Sequence, residues 1–426
     1  KTTTNPAKRE ALTVEKERLR RMKRDFSQKP GELLEKIRTS VPDATKEDLE
    51  KWRQEGKLQW MTVDGEARYF RREPSNLFRL SREARSRRAE AEPAEGDPAA
   101  ASSEKFNLND HIAEVLKLAK KKNEAIVHPV RMRIRQKLTV DPGKVPVGET
   151  VRCWLPLPRD YRQQKGAMEL VTKPASHKVA PEDAPQKTVY MEQVVKNAEE
   201  PLVFSAEYEY VTAAYVPQVD AGKVEKDLAW GEEYMEPQPP HIRLSPEIKS
   251  LAAEIVGEEQ NPYRKAEKIF RWIDGNIRYC SEMEYAIIPN IEDKIYSERK
   301  GDCGVQVLMF LSLCRAAGVP ARWQSGWVTR PGHTNMHDWA EFYVEPYGWL
   351  PADPSMGLRN SENLAVREFY FGHLDAYRLI ANMGFSKDLV PEKKHWRSDP
   401  VDNQRGEVEW SGGNLYYDDW TYDLEV

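Results

Sequence analysis

Cys303 is the residue of this sequence best placed to act as a nucleophile. It lies in Lys300-Gly301-Asp302-Cys303-Gly304, a flexible turn running directly into an apolar stretch that includes Val305, Leu308, Met309, Leu311, Leu313 and Ala316. Apolar side chains on nearly every face predict a buried central helix that begins near Cys303 and ends at Gly318. A helix amino terminus presents unpaired N–H groups and about half a positive charge. Both favour the thiolate, the reactive form of cysteine, and the same N–H groups can receive a developing oxyanion. The backbone N–H of Cys303 is therefore the expected oxyanion donor. The remaining thiols, Cys153, Cys280 and Cys314, read as inert packing residues.

A base and an orienting acid follow in the chain. His337 opens a predicted strand, 337–344, and Asp353 ends the next, 349–353. Antiparallel pairing through the turn at 345–347 makes positions 337 and 353 neighbours. Asp353 can then accept from one imidazole nitrogen while the other faces Cys303, the arrangement that covalent acyl transfer needs. Trp323, Trp327 and Trp339 are expected as cleft walls, with core packing a rival fate for at least two of them. His333 and His337 stand four apart, a zinc-binding spacing on a helix, but Gly332, Asn335 and the strand that follows argue against a helix there. No metal and no cofactor are expected.

These residues need elements to hold them. Ser245-Pro246 and Asn261-Pro262 each place a capping side chain before a proline, opening helices to about Ile255 and Asn276. Strands are predicted over 321–328, 337–344 and 348–352, and the aromatic, alternating segment 407–426 with Gly412-Gly413 as a final hairpin. Upstream, alternation in 130–135, 150–155 and 202–211 with Pro and Gly punctuation predicts a β-sandwich. The helix expected over 108–121 follows a Pro-, Ala- and charge-rich linker at 82–104. Residues 8–90 read as three helices and a hairpin, with Thr45 and Asp48 as a capping box and Asp64-Gly65 as the turn, an outline similar to a winged helix. The expected organisation is 1–83, a small basic module; 84–124, linker and connecting helix; 125–240, β-sandwich; and 241–426, catalytic domain with a hairpin extension.

Composition sets outer limits. The chain has 426 residues and 12 Trp and 18 Tyr, an aromatic load that argues for folded structure in two or three domains. No apolar run reaches the roughly 18–20 residues that span a bilayer. Four cysteines without a Cys-x-x-Cys pair make neither a disulfide framework nor a thiolate zinc site. Residues 1–90 hold 24 Lys and Arg against 16 Asp and Glu, while the whole chain carries −4. That basic region reads as a solvated, salt-bridged surface in preference to a nucleic-acid site. The chain begins at Lys1. A processed product is consistent with this, and an exported, periplasmic or cell-envelope location is favoured over the cytoplasm.

Gly301-Asp302-Cys303-Gly304, Ala317-Gly318-Val319-Pro320-Ala321-Arg322, His337-Asp338-Trp339-Ala340-Glu341 and Gly348-Trp349-Leu350-Pro351-Ala352-Asp353-Pro354-Ser355 occur in that order. Together they resemble the core of the transglutaminase-like superfamily across about 245–360. Trp154-Leu155-Pro156-Leu157-Pro158 is similar to the β-sandwich that precedes this core in many bacterial members. The resemblance implies an α+β, papain-related fold with the cysteine helix on an antiparallel sheet, and a Cys303, His337, Asp353 triad. Many members add an upstream side chain at the oxyanion, for which Tyr279, Tyr285 and Tyr296 are the candidates here. A calcium requirement is not implied. The reading is a cysteine enzyme forming a thioester from amides of peptides or proteins, with hydrolysis favoured over amine transfer. A catalytically silent envelope scaffold is the rival.

Overall fold

The computed structural model describes residues 6–88, 102–103, 106–226 and 231–426. Much of the expected linker, 89–101 and 104–105, lies outside the described residues.

The amino-terminal module contains helices Pro6–Asp25, Pro30–Arg38 and Lys46–Gln54, then the hairpin Trp60–Val63 with Glu66–Tyr69. Its punctuation is local chemistry. Thr45 caps the third helix reciprocally with Asp48, and Asp64 and Gly65 both take the left-handed conformation, at φ 51° and 82°, that a two-residue hairpin turn requires. Two short helices follow, Ser75–Leu80 and Arg82–Ser86. Each is too short to show a helical period in the sequence. Leu33, Ile37, Leu49, Trp52, Leu58 and Leu77 form this module's own core.

Two sheets form the sandwich. One orders Trp420–Glu425, Ile126–Val140, Leu202–Tyr215 and Gln164–Lys173; the other orders Gly413–Leu415, Glu407–Trp410, Thr150–Pro156, Thr188–Val194 and His177–Val179. Alternate positions such as Ile134, Leu138, Phe204, Val151, Val189 and Met191 fill the space between them. The segment 407–426 makes a hairpin, Val408 facing Leu415, but its strands do not extend the helix-and-sheet region. They complete both sandwich sheets, because Val408, Leu415 and Trp420 carry their apolar side chains into the sandwich core.

The helix-and-sheet region packs helices Pro246–Val256, Pro262–Asn276 and Cys303–Ala316 on a four-stranded antiparallel sheet ordered Gly348–Ala352, His333–Val344, Ala321–Arg330 and Arg378–Met383. Ser245 and Asn261 cap the first two helices, accepting from the N–H groups of Ile248 and Arg264. The Cys303 helix is buried on nearly all sides. Its side chains share a core with Ala340, Phe342 and Val344 of the central strand. No helix of the described residues is long and apolar enough to cross a membrane.

Candidate active site

Cys303 is the first residue of its helix, and Asp302 is the cap, its Oδ1 accepting from the Val305 N–H at 3.2 Å. The turn is tightly closed. A Cβ on Gly301 would lie 2.4 Å from Val305, and one on Gly304 would lie 2.2 Å from the Tyr285 hydroxyl and 2.8 Å from Asp338. Gly304→Ala must therefore push Tyr285 or Asp338 aside. We expect it to lower stability by about 1–3 kcal/mol and to depress activity as well, measured by urea denaturation beside turnover. A stability unchanged from wild type would contradict this packing.

His337 does not open its strand. The strand begins at His333, because the hairpin turn lies at Pro331-Gly332, with Gly332 at φ 76°. Antiparallel register sets Ala340 opposite Ala352, which brings His337 Nε2 to Asp353 Oδ2 at 2.7 Å. The same oxygen accepts from Arg378 Nη1 at 2.9 Å, while Asp353 Oδ1 accepts from Ser355 Oγ and the Met356 N–H. Arg378 in turn donates through Nε to Asp375 at 3.0 Å. All four groups, His337, Asp353, Arg378 and Asp375, are fully buried. Burial opposes ionisation of Asp353, but His337 and Arg378 outweigh it and hold the carboxyl at about 2. It is thus a carboxylate, and the bonded Nε2 carries the proton. That leaves Nδ1 as the basic nitrogen. Burial also lowers the imidazole's own pKa against the pull of Asp353, so the ring rests neutral.

The thiol is held differently from expectation. Its hydrogen bond goes to Asp338 Oδ2 at 3.3 Å, and among the described residues none joins it to His337. Successive strand residues alternate sides, and Asp338 shares the side of Ala340 and Phe342, against the helix. The Asp338 backbone N–H also reaches the sulfur, which places the thiol over the peptide linking His337 to Asp338. Gln404 Nε2 donates to both Asp338 Oδ1 and the His337 carbonyl, at 2.8 and 3.1 Å. Burial, then Asp338 and Asp302, push the Cys303 thiol well above the usual range and outweigh that N–H. The helix terminus does not prevail, since burial of the thiol outweighs it and its cap, Asp302, is itself a half-buried acid. Alkylation of Cys303 by iodoacetamide should therefore accelerate continuously from pH 6 to pH 9 and beyond. A rate already at plateau near pH 6 would show a preformed thiolate instead.

Cys303 is half-buried on the floor of a cleft of about 140 Å³, whose walls include Arg72, Tyr285, Asp338, Gln404 and Arg405. None of the three expected tryptophans is among its lining residues. Trp323 packs into the helix-and-sheet core, Trp327 into the sandwich core, and Trp339 against Leu374 and Ile380. Strand alternation turns each toward a packed layer. Of the tyrosines, Tyr285 lies beside the Cys303–Gly304 turn, donating to Asp302 Oδ1 at 2.6 Å. Tyr279 lines the cleft and Tyr296 packs at the core. Asp338, Gln404 and Arg378 were missed. A carboxyl beside His337 in an apolar strand was a usable sign of the first, whereas Gln404, 66 positions away from Asp338, offers no local signal.

Residues 249–354 match the family model of the transglutaminase-like superfamily. An uncharacterised protein of Haemophilus influenzae is 27% identical, over 39% of this chain and 55% of its own length. The uncharacterised protein YebA of Bacillus subtilis is 25% identical, over 34% of this chain and 21% of its own. The chain thus spans about half the length of one relative and about a fifth of the other. A solved structure of a proposed cysteine protease from Cytophaga hutchinsonii gives a TM-score of 0.46 at 15% identity, covering 70% of this chain and 91% of that one. The segment that carries the Cys303 helix, the His337 strand and Asp353 is a transglutaminase-like core domain.

Proposed function

We propose that this protein is a cysteine-dependent acyl-transfer enzyme acting on amide bonds of peptides or proteins, with Cys303 as nucleophile, His337 as base and Asp353 as the group that orients the base. The observation that carries the reading is the buried His337–Asp353 pair (2.7 Å) on the strand whose next residue contacts the half-buried thiol. The thiol leaves Asp338 and gives its proton to Nδ1 of His337 as sulfur bonds to the carbonyl carbon. The oxyanion is received by the N–H groups at the helix start, of which Asp302 has engaged that of Val305. Collapse breaks the C–N bond, and the leaving amine takes the proton from the imidazolium. A thioester remains on Cys303. Water, deprotonated by the neutral imidazole, then releases the acid and restores the thiol.

Hydrolysis is the favoured resolution over transfer to an amine. Cys303 is half-buried in a cleft open to solvent, so water can reach a thioester there without a further binding site, whereas an amine acceptor on a second chain would need one. The test follows ammonia release and amine incorporation from a glutamine- and lysine-containing peptide by mass spectrometry, for wild type and Cys303→Ala. Products from wild type alone, with an acyl adduct on Cys303 after acid quench, are expected. Equal signals from both proteins would sink the reading.

A further inference from the structure

The charged groups around the nucleophile are unevenly satisfied. Each carboxyl that lines the cleft already has a partner within the protein. Glu282 pairs with Lys294 at 2.7 Å and Glu284 with Arg21 at 3.5 Å. Asp302 accepts from Tyr285 and the Val305 N–H, Asp338 from Gln404, and Asp399 from the Val401 N–H. Of the three arginines in the cleft wall, Arg71 is bonded to Asp25 at 2.7 Å. Arg72 and Arg405 have no carboxylate partner among the described residues. Both line the same cleft as Cys303, and both are open to solvent, Arg72 the more so.

The two guanidiniums come from distant parts of the chain. Arg72 follows the hairpin of the amino-terminal module, and Arg405 lies in the segment leading into the last sandwich strands. Arg405 is held in place by its ring contact with Tyr417, 4.1 Å from the centroid. Burial, and then the neighbouring charges of Arg71 and Arg405, disfavour the protonated form of Arg72. Like charges are thus gathered beside Cys303, with Asp302 and Asp25 acting on Arg72, and Asp399 and Glu284 on Arg405, only from beyond ion-pair distance. An anion bridging them would relieve that repulsion, and guanidinium geometry suits a carboxylate received through two parallel N–H bonds.

We propose that Arg72 and Arg405 form a carboxylate-binding subsite beside Cys303, so that the preferred substrate is an acidic peptide with a carboxylate flanking the amide to be cleaved. This rests on the acyl-transfer reading of Cys303, and it gives the amino-terminal module a role: it supplies half of the specificity site.

The test uses acetyl-Ala-Ala-Glu-Gln-Glu-Ala-amide and its counterpart with both Glu replaced by Gln. Binding is read on the whole 426-residue chain carrying Cys303→Ala by fluorescence anisotropy of the labelled peptides, and turnover on the protein with Cys303 intact. The acidic peptide should bind roughly 10- to 100-fold more tightly than the neutral one, the preference shrinking between about 50 and 500 mM NaCl. In Arg72→Gln and Arg405→Gln backgrounds the ratio should fall towards one. Arg72 is exposed, so its variant folds even if loss of the Tyr417 contact harms the other. Equal binding of the two peptides, or a preference that survives Arg72→Gln, would overturn the subsite. Preferential binding without turnover of either peptide would leave the subsite standing and remove the enzymatic reading.

Discussion

Replacing Arg378 with methionine is expected to cost about 3–5 kcal/mol of folding stability and to abolish activity. The guanidinium donates to Asp353 and Asp375 at 2.9 and 3.0 Å, and all three side chains are essentially removed from water. Deleting that cation removes the guanidinium bonded to both buried carboxyls, leaving His337 at Asp353 and Arg330 and His111 near Asp375, and a poorly compensated buried charge accounts for losses of that size. His337 retains its bond but loses a carboxylate held in one orientation. The pH dependence gives a second readout. In the wild-type protein Asp353 sits at about 2 when folded, below the unfolded value of about 3.9. Its contribution is therefore fully present above about pH 4 and is lost as pH falls through about 2. Without Arg378 both folded values rise, so this contribution shrinks and its loss on acidification moves to higher pH. Urea titrations at pH 3, 5 and 7 should show the variant losing stability at a higher pH than wild type does. A variant as stable as wild type at pH 7 would mean that the bridge carries no weight.

The second large effect is chemical. Cys303→Ala should lower kcat/KM by about 10⁴-fold or more, as removal of a covalent nucleophile does, while leaving the thermal midpoint within a few degrees of wild type. The side chain is small, half-exposed to the cleft, and bonded only to Asp338 among the described residues. Asp353→Asn should approach the same loss, about 10⁴-fold, by inverting the hydrogen-bond roles at His337 Nε2 and placing the proton on Nδ1. The two variants separate on alkylation: Asp353→Asn keeps a titratable Cys303, and Cys303→Ala does not. Retention of more than about a tenth of wild-type turnover by either would remove that residue from the mechanism.

Much of this was legible because the signals are local. Ser245, Asn261 and Thr45 announce helix starts by their own hydrogen bonds, and Asp64-Gly65 announces a turn by its backbone needs. Cys303 and Asp353 stand where their motifs put them because a cap and a strand end are short-range features. What stayed hidden depends on tertiary packing. A tryptophan on a strand can face a cleft or a core with the same spacing, and Trp323, Trp327 and Trp339 all face cores. Asp338 meets the thiol because of which side of its strand the helix covers, a choice the period-two pattern leaves open. The final hairpin was readable as a hairpin, but not its partners, since Trp420–Glu425 pairs with Ile126–Val140 across most of the chain.

That last pairing bears on how the protein comes into being. The strand Ile126–Val140 has Leu202–Tyr215 as one neighbour and Trp420–Glu425 as the other, so its second edge stays open until residues 420–425 have been synthesised. Gln404 and Arg405, which wall the cleft over Cys303, lie just ahead of the same strands. A nascent chain that has already emerged through the Cys303 helix thus holds the thiol without a finished pocket. Contacts of such long sequence separation form late and slowly. Closure of the pocket over Cys303 thus waits on Gln404, Arg405 and the strands that follow them.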